Sequence, residues 1–479
     1  MSNVATKAPP SGGAAVRPGF GAFGQATLLI AAALTTVDAF IVNVALPSIQ
    51  DSFHVSASAS QFVVSCYGIT YAVLLVLGGR FGDRYGRRRI IQIGIAGFTA
   101  ASLLCGLAPN IEVLVGARVL QGAAAALLLP QVLSTIQAAL EEPAKTRAVS
   151  YYGAIGGLSA AVGQLLGGLF VWADVAGLGW RPIFLVNVPL GVLAVIGTKL
   201  WVPETRASAP QGADLTGTAL FGTAVLALLI PLSVGRQTHW PLWCWALLAV
   251  AVAVGAVLWR YERKVESSGV VPLIAPSLLR QGTMRRGLLV LGSGFLAFGG
   301  FIFVFALALQ GGNGMSAFES GLSMAPMALG QFLAALRAPK MIGKIGVRTL
   351  QVGGAVQAAG LLCLIGPALL WWPHVRFYEL MVGMFLIGVG NGLFVPTVYR
   401  TVLSSIPPNQ IGAGSGIVTT TQQTTLALGV ALLGAVYVGV SGQSGGMRLG
   451  FVVVSAVFLA VAALFALFGR HLQDTRSTR

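Results

Sequence analysis

Of 479 residues, 56% are hydrophobic and only 9% charged, with a mean hydropathy of +0.82, more apolar surface than a soluble chain of this length can hide, so lipid has to be its solvent. The net charge of +16 would suit nucleic acid, but Lys and Arg gather in loops on one side of the apolar runs, which makes no nucleic-acid partner expected and inner-leaflet contact a by-product. Scattered single cysteines (Cys66, Cys105, Cys244, Cys363) read as free thiols. Histidines confined to loops or the tail, and the lack of a GxxxxGK(S/T) loop, predict no metal, no cofactor and no ATP hydrolysis.

Residues 1–24 are rich in Gly, Pro and Ala with only Lys7 and Arg17, and read as a disordered cytosolic tail. They are not a cleavable signal, because the apolar run that follows is long and opens a series. Fourteen such runs start near Gln25, Ser58, Ile90, Glu112, Ala148, Arg181, Leu215, Pro241, Gly287, Phe318, Leu350, Phe377, Gly412 and Leu449. With the N-terminus in the cytosol, the inner loops and tails hold 25 of the 30 Lys and Arg, the others being Arg118, Arg181, Arg236, Arg376 and Arg448. That bias places both termini inside a cell (inner or plasma) membrane.

The first run, 25–46, is about 33 Å long as a helix, enough to cross a bilayer core, and it carries Asp38. An intramembrane carboxylate is costly unless it meets a partner or a wet cavity, so it marks a functional site. The loop after the second run reads GRFGDRYGRRR (79–89) and that after the tenth PKMIGKIGVRT (339–349). A shift of 260 residues superposes Arg80 on Lys340, Arg84 on Lys344, Gly86 on Gly346 and Arg88 on Arg348, an internal repeat of the kind that builds alternating-access transporters. A six-helix half needs about 180 residues at this spacing, so the shift leaves room for two extra helices, 215–234 and 241–259. The expected fold is an all-α integral membrane bundle of 14 transmembrane helices (6+2+6) in two pseudo-symmetric halves. Its parts are a tail 1–24, a first bundle 25–202, an inserted hairpin with cytosolic loop 203–284, a second bundle 285–470 and a tail 471–479.

The 79–89 loop resembles the GxLaDRxGRkxx motif of the major facilitator superfamily, with Phe81 in the Leu place. The stretch VDAFIVNVALP (37–47) is similar to the first-span motif of its fourteen-span drug:proton antiporter branch (multidrug efflux type). Arg118, Gln121, Gly122 and Pro130 resemble the fourth-span motif, and WRPIFLVNVPLG (180–191) is typical of the entry to the sixth span. The resemblance implies proton-driven drug efflux, and a gating role for Gly79, Asp83, Arg84, Gly86, Arg87 and Arg88 through charge contacts with neighbouring helix ends. The fifth-span signature GxxxGPxxGG reads SAAVGQLLGG here, with Ser159 for the first Gly and Gln164 for the Pro. Gly156, Gly163, Gly167 and Gly168 keep a small packing face, while the missing proline removes a kink and leaves strict antiport open.

Asp38 lies about 20 Å above the inner start of its span and Arg118 about 9 Å below the outer start of the fourth, at comparable depth. Burial raises a carboxylate's pKa and a nearby guanidinium lowers it. Asp38 is therefore the expected proton carrier, with Arg118 either tuning it or relaying protons. Two adjacent glutamines, Gln422 and Gln423, need partners at membrane depth, from a wet cavity or a neighbouring helix. Asn43, Gln121, Gln164, Gln331 and Asn391 are single candidates of the same kind for a substrate cavity. The Phe295, Phe298, Phe301 and Phe305 stripe reads first as a lipid or packing face.

The expected activity is proton-coupled efflux of amphipathic drug-like or secondary-metabolite small molecules, by a protein acting as a monomer, with the proton gradient as energy source and no enzymatic chemistry. One deep acid cannot hold a dication and a proton together, which favours monocationic, neutral or zwitterionic cargo. The alternatives are a dedicated exporter or importer of one metabolite, or a non-transporting sensor, for which the longest inner loop (261–286) is too short to form a signalling domain.

Overall fold

The computed structural model describes residues 21–141, 144–206, 214–235, 238, 240–269, 272–403, 406, 411–442 and 446–469. Both predicted tails fall almost wholly outside them, as do Arg236, His239 and His471. All regular structure among the described residues is helical.

The first half comprises α1 (Ala22–Phe53), α2 (Ala57–Tyr85), α3 (Arg87–Gly106), α4 (Ile111–Ala139), α5 (Ala144–Ala173) and a sixth rod broken into α6 (Pro182–Leu185) and α7 (Asn187–Trp201). A hairpin follows, α8 (Leu215–Val234) and α9 (Leu242–Ser267), then the short α10 (Pro276–Arg280). The second half is α11 (Gly282–Leu307), prolonged by a π-turn, α12 (Ala317–Ile345), α13 (Arg348–Leu370), α14 (Phe377–Leu403), α15 (Ile411–Ser441) and α16 (Gly446–Phe468). Counting α6 and α7 as one rod and setting α10 aside gives fourteen long helices, which fits the six, two and six arrangement.

Eleven of these are long and apolar enough to cross a membrane, and the bent α2 makes a twelfth if its two pieces are one span. The remaining two, α5 and α12, pack against each other; α5 is apolar over Val162–Ala173, while α12 carries more small and polar residues. Every helix begins within five residues of its expected start, the first at Ala22 ahead of Gln25. Polar caps set several of these starts: the Ser56, Asn110 and Asp214 side chains accept backbone N–H bonds, and Ser316 with Glu319 forms a reciprocal capping box. The 260-residue shift carries the bounds of α2 onto those of α12, and the start of α1 onto that of α11.

The packing is lopsided along the long axis. At the end away from the basic loops, one apolar core runs through both halves, joining Ile41, Val42 and Leu46 to Phe298, Phe305, Met324 and Phe458. Toward the basic end it divides, with Leu28, Tyr71, Phe98 and Leu128 in a core of the first half alone, and Leu291, Phe394, Val398 and Phe465 in one of the second. Three direct ties between the halves sit at the joined end. Gln61 donates to the Val430 carbonyl at 2.9 Å, Gln310 to the Val44 carbonyl at 3.1 Å, and Trp172 meets Phe318 with ring centroids 5.7 Å apart. The halves thus share one apolar core at one end and keep separate cores at the other.

Two helix pairs form the seams between halves. In α5–α12 the backbones nearly touch: a Cβ on Gly168 would lie 2.7 Å from the Ala317 carbonyl oxygen, and one on Gly321 2.7 Å from that of Gln164. The α2–α15 seam is covered by the hairpin, whose Val225 and Leu229 pack with Ile69, Ala427 and Ala431. Helix α9 stands outermost, with apolar side chains such as Leu242 and Val252 bare on its surface, as suits contact with lipid.

Candidate transport site

Asp38 lies where the shared core begins to divide, between Leu34 of the first half's own core and Ile41 of the joint one. Gly163 and Gly167 let α5 press on α1 at Val37 and Ile41, where a Cβ on either glycine would come within 2.6 Å of a carbonyl oxygen. That contact occupies one face of α1 and leaves Asp38 on the next, turned into the first half.

There Arg118 of α4 donates to Asp38 Oδ2, and both side chains are fully buried. Gln121 Nε2 and Asn187 Nδ2 each donate to Oδ1 at 2.8 Å, so three donors surround the carboxylate. Gln121 also donates to Ser102 at 2.7 Å, which ties α3 into the network. The guanidinium gives Nη1 to Gln121 at 2.7 Å and Nε to the Val63 carbonyl at 2.8 Å, and lies 4.2 Å from the centre of the Tyr67 ring. Its Nη2 has no partner. A buried ion pair with its remaining valences satisfied is tolerable, whereas the same groups left single are costly. The arrangement therefore binds charge and discharge of Asp38 to a rearrangement of α1, α4 and α7.

Asn187, Ser102 and Tyr67 were not among the expected site residues. The signal for Asn187 was present, since it is the first polar residue in an otherwise apolar stretch, but an uncharged amide draws less notice than a carboxylate.

The expected cavity residues separate. Gln121 belongs to the closed network around Asp38 and does not line open space. Asn43 is buried and donates to the Ala39 and Phe40 carbonyls of its own helix. Gln164 is fully buried in α5, with neither amide atom partnered. These three hold packed positions in this structure. Asn391 is buried and donates to the half-buried Gln331 at 3.3 Å; Gln422 accepts from Tyr399, and Gln423 is half-buried. Of the small face on α5, Gly156 makes no close approach: a Cβ there would meet nothing within 4 Å. Gly168 serves the seam with α12.

The phenylalanine stripe of α11 is a packing face. Phe298 and Phe301 meet Phe458, and Phe305 meets Phe451, at centroid distances of 5.5–6.3 Å.

At the basic end, Gly86 turns the chain between α2 and α3 at φ +103°, a region that disfavours any side chain. Asp83 pairs with Arg87 at 2.7 Å, and Arg87 also donates to the Ser134 carbonyl of α4 at 3.2 Å. The segment leaving α7 completes the clasp: Arg87 N–H donates to the Thr205 carbonyl at 2.9 Å, and Arg88 N–H to Glu204 at 3.1 Å. Glu204, unforeseen in the sequence, is the acid that holds this turn. Arg84 is exposed over the Tyr85 ring, and Gly79 makes only ordinary contact with Pro130. These ties lie within the first half. Arg80 reaches further, donating to the Pro272 carbonyl between the hairpin and the second half at 2.8 Å.

The chain matches the model of the Major Facilitator Superfamily over residues 28–222 and 214–430. It is 34% identical over 417 residues to the probable actinorhodin transporter of Streptomyces coelicolor, covering 87% of this chain and 72% of that protein. It is also 34% identical to the puromycin resistance protein pur8 of Streptomyces alboniger (87% and 82% covered) and to the cephamycin export protein CmcT of Amycolatopsis lactamdurans (90% and 89%). Among solved structures it is similar in fold to a POT family transporter in complex with 5-aminolevulinic acid, at TM-score 0.69 and 13% identity over 96% of this chain and 99% of that one.

Proposed function

This chain belongs to the Major Facilitator Superfamily, and on that premise we propose that it exports amphipathic, antibiotic-like small molecules in exchange for protons. Relatives named for actinorhodin, puromycin and cephamycin support cargo of that chemistry. The observation that carries the coupling is the position of the Asp38–Arg118 pair, fully buried where the joint core of the two halves divides.

In this reading the basic end faces the cytosol, both termini lie there, and the protein works as a monomer in the cell membrane. The end with separate cores is then where a cleft forms toward the cytosol, closed above by the shared core. Cargo enters the cleft, the halves rock about the seams, and the joined end opens outward. Asp38 accepts a proton from outside, which neutralises it and releases Arg118 from the pair. Inward return of the proton to the cytosol restores the ion pair. Each proton entering down the membrane potential supplies about 2.3 kcal/mol per 100 mV, so no nucleotide or cofactor is required. The clasp of Asp83, Arg87, Arg88 and Glu204 holds α2, α4 and α7 as one body while the cleft is open. With a single deep acid in the network, the cargo is monocationic, neutral or zwitterionic.

The test is accumulation of a compound panel in an efflux-deficient host expressing the protein, with and without a proton uncoupler. Uncoupler-sensitive export that disappears in Asp38→Asn is expected. Export that is indifferent to both the uncoupler and Asp38→Asn would remove the coupling assignment.

A further inference from the structure

Two pockets flank α10, one basic and one apolar, the two polarities of an amphiphile. The first, about 340 Å³, lies at the basic surface between the end of α9 and α10, with Arg263 and Arg280 on its walls. Glu266 shares it but is already engaged, accepting from the backbone N–H of Ser277 at 3.1 Å and from its hydroxyl. Neither arginine has a carboxylate partner among the described residues. The second pocket, about 240 Å³, is an apolar slot between α8, α10, α11 and α15, walled by Phe221, Ile274, Leu279 and Leu288. Of the four threonines on its α15 wall, Thr421 and Thr425 turn their methyl groups to Gly292 of α11, and the hydroxyls of Thr420 and Thr424 are buried. Leu288 is six residues into α11 and Phe221 six into α8, so the slot opens about 9 Å inside the layer from the charged end.

A basic pocket at the surface and an apolar slot, each walled in part by α10, ask for an anionic headgroup joined to a hydrocarbon chain. We propose that this junction binds an anionic phospholipid, its phosphate between Arg263 and Arg280 and an acyl chain in the slot beneath the hairpin. Arginine forks suit phosphate oxygens, and basic pockets between membrane helices at the cytosolic side are where such headgroups lodge. The slot lies against α8, the helix that covers the α2–α15 seam, so the lipid fastens the hairpin to the second half. This site is independent of Asp38, and failure of the transport reading leaves it standing.

The test is thermal unfolding of the detergent-purified full chain with added dioleoyl phosphatidylglycerol, dioleoyl phosphatidylcholine or inorganic phosphate. Phosphatidylglycerol is expected to raise the melting temperature by several degrees more than phosphatidylcholine, and phosphate not at all. The excess should vanish in the Arg263→Ala/Arg280→Ala variant, which alters two exposed side chains, and in Leu288→Trp, which fills the slot and leaves both arginines. Leu279→Phe takes the place of Leu288→Trp if the latter does not fold. Equal shifts with the two lipids, or an excess that survives both variants, would overturn the proposal. A shift reproduced by phosphate alone would assign the pocket to a free anion and overturn the lipid.

Discussion

Where the first half sets Asp38 among Arg118, Gln121 and Asn187, the second has Phe298 at the position 260 residues on, packed against Phe458 with ring centroids 6.3 Å apart. The two helices begin at matching positions of the repeat, so the backbone plan was kept while the chemistry diverged. One half carries a charge network that is stable only while complete. The other carries an aromatic core that no proton can perturb. In the transport cycle proposed above, the first half is the responsive side and the second the rigid wall.

The largest effect should come from breaking the charged side. Arg118→Met leaves Asp38 buried and single, and is expected to cost about 3–5 kcal/mol. Adding Asp38→Asn should return much of that loss, both read by thermal unfolding in detergent. Phe301→Ala in the second half is expected to cost about 3 kcal/mol through the cavity it opens, yet to leave the uncoupler sensitivity of export intact. If it abolished that sensitivity, the division between the halves would fail. Gln164→Leu sharpens the role of the uncovered seam. It removes two unpartnered buried amide atoms, so it should stabilise this conformation by about 1–3 kcal/mol and slow turnover, seen as a higher melting temperature with a lower export rate. The smallest effect is expected at the clasp. Glu204→Gln lies at a partly exposed pair and should cost under about 1 kcal/mol, while making the α2–α3 turn more accessible to hydrogen exchange.

The sequence exposes some of this because lipid punishes exceptions. Fourteen apolar runs mark the helices, and Asp38 and Arg118 stand out because a charge at that depth is expensive wherever it points. Direction is harder to read. Gln121 and Gln164 look alike in sequence, both uncharged amides within a span, yet one completes a network and the other is packed without a partner. Only the placement of neighbouring helices distinguishes them. Gly156 and Gly163 belong to one small-residue face, but only the latter comes against α1. The division of the core toward one end has no local sign at all, because it depends on which helices of different halves meet. Glu204 was hidden for a similar reason, lying 116 residues from the arginine whose backbone it holds.

The hairpin lies over one seam and leaves the other bare. A greasy molecule drifting sideways in the bilayer therefore meets two unlike flanks, one shuttered by α8 and one consisting of α5 and α12 alone. The flank where Gln164 sits is sealed by backbone against backbone, and the other by a third layer of helix.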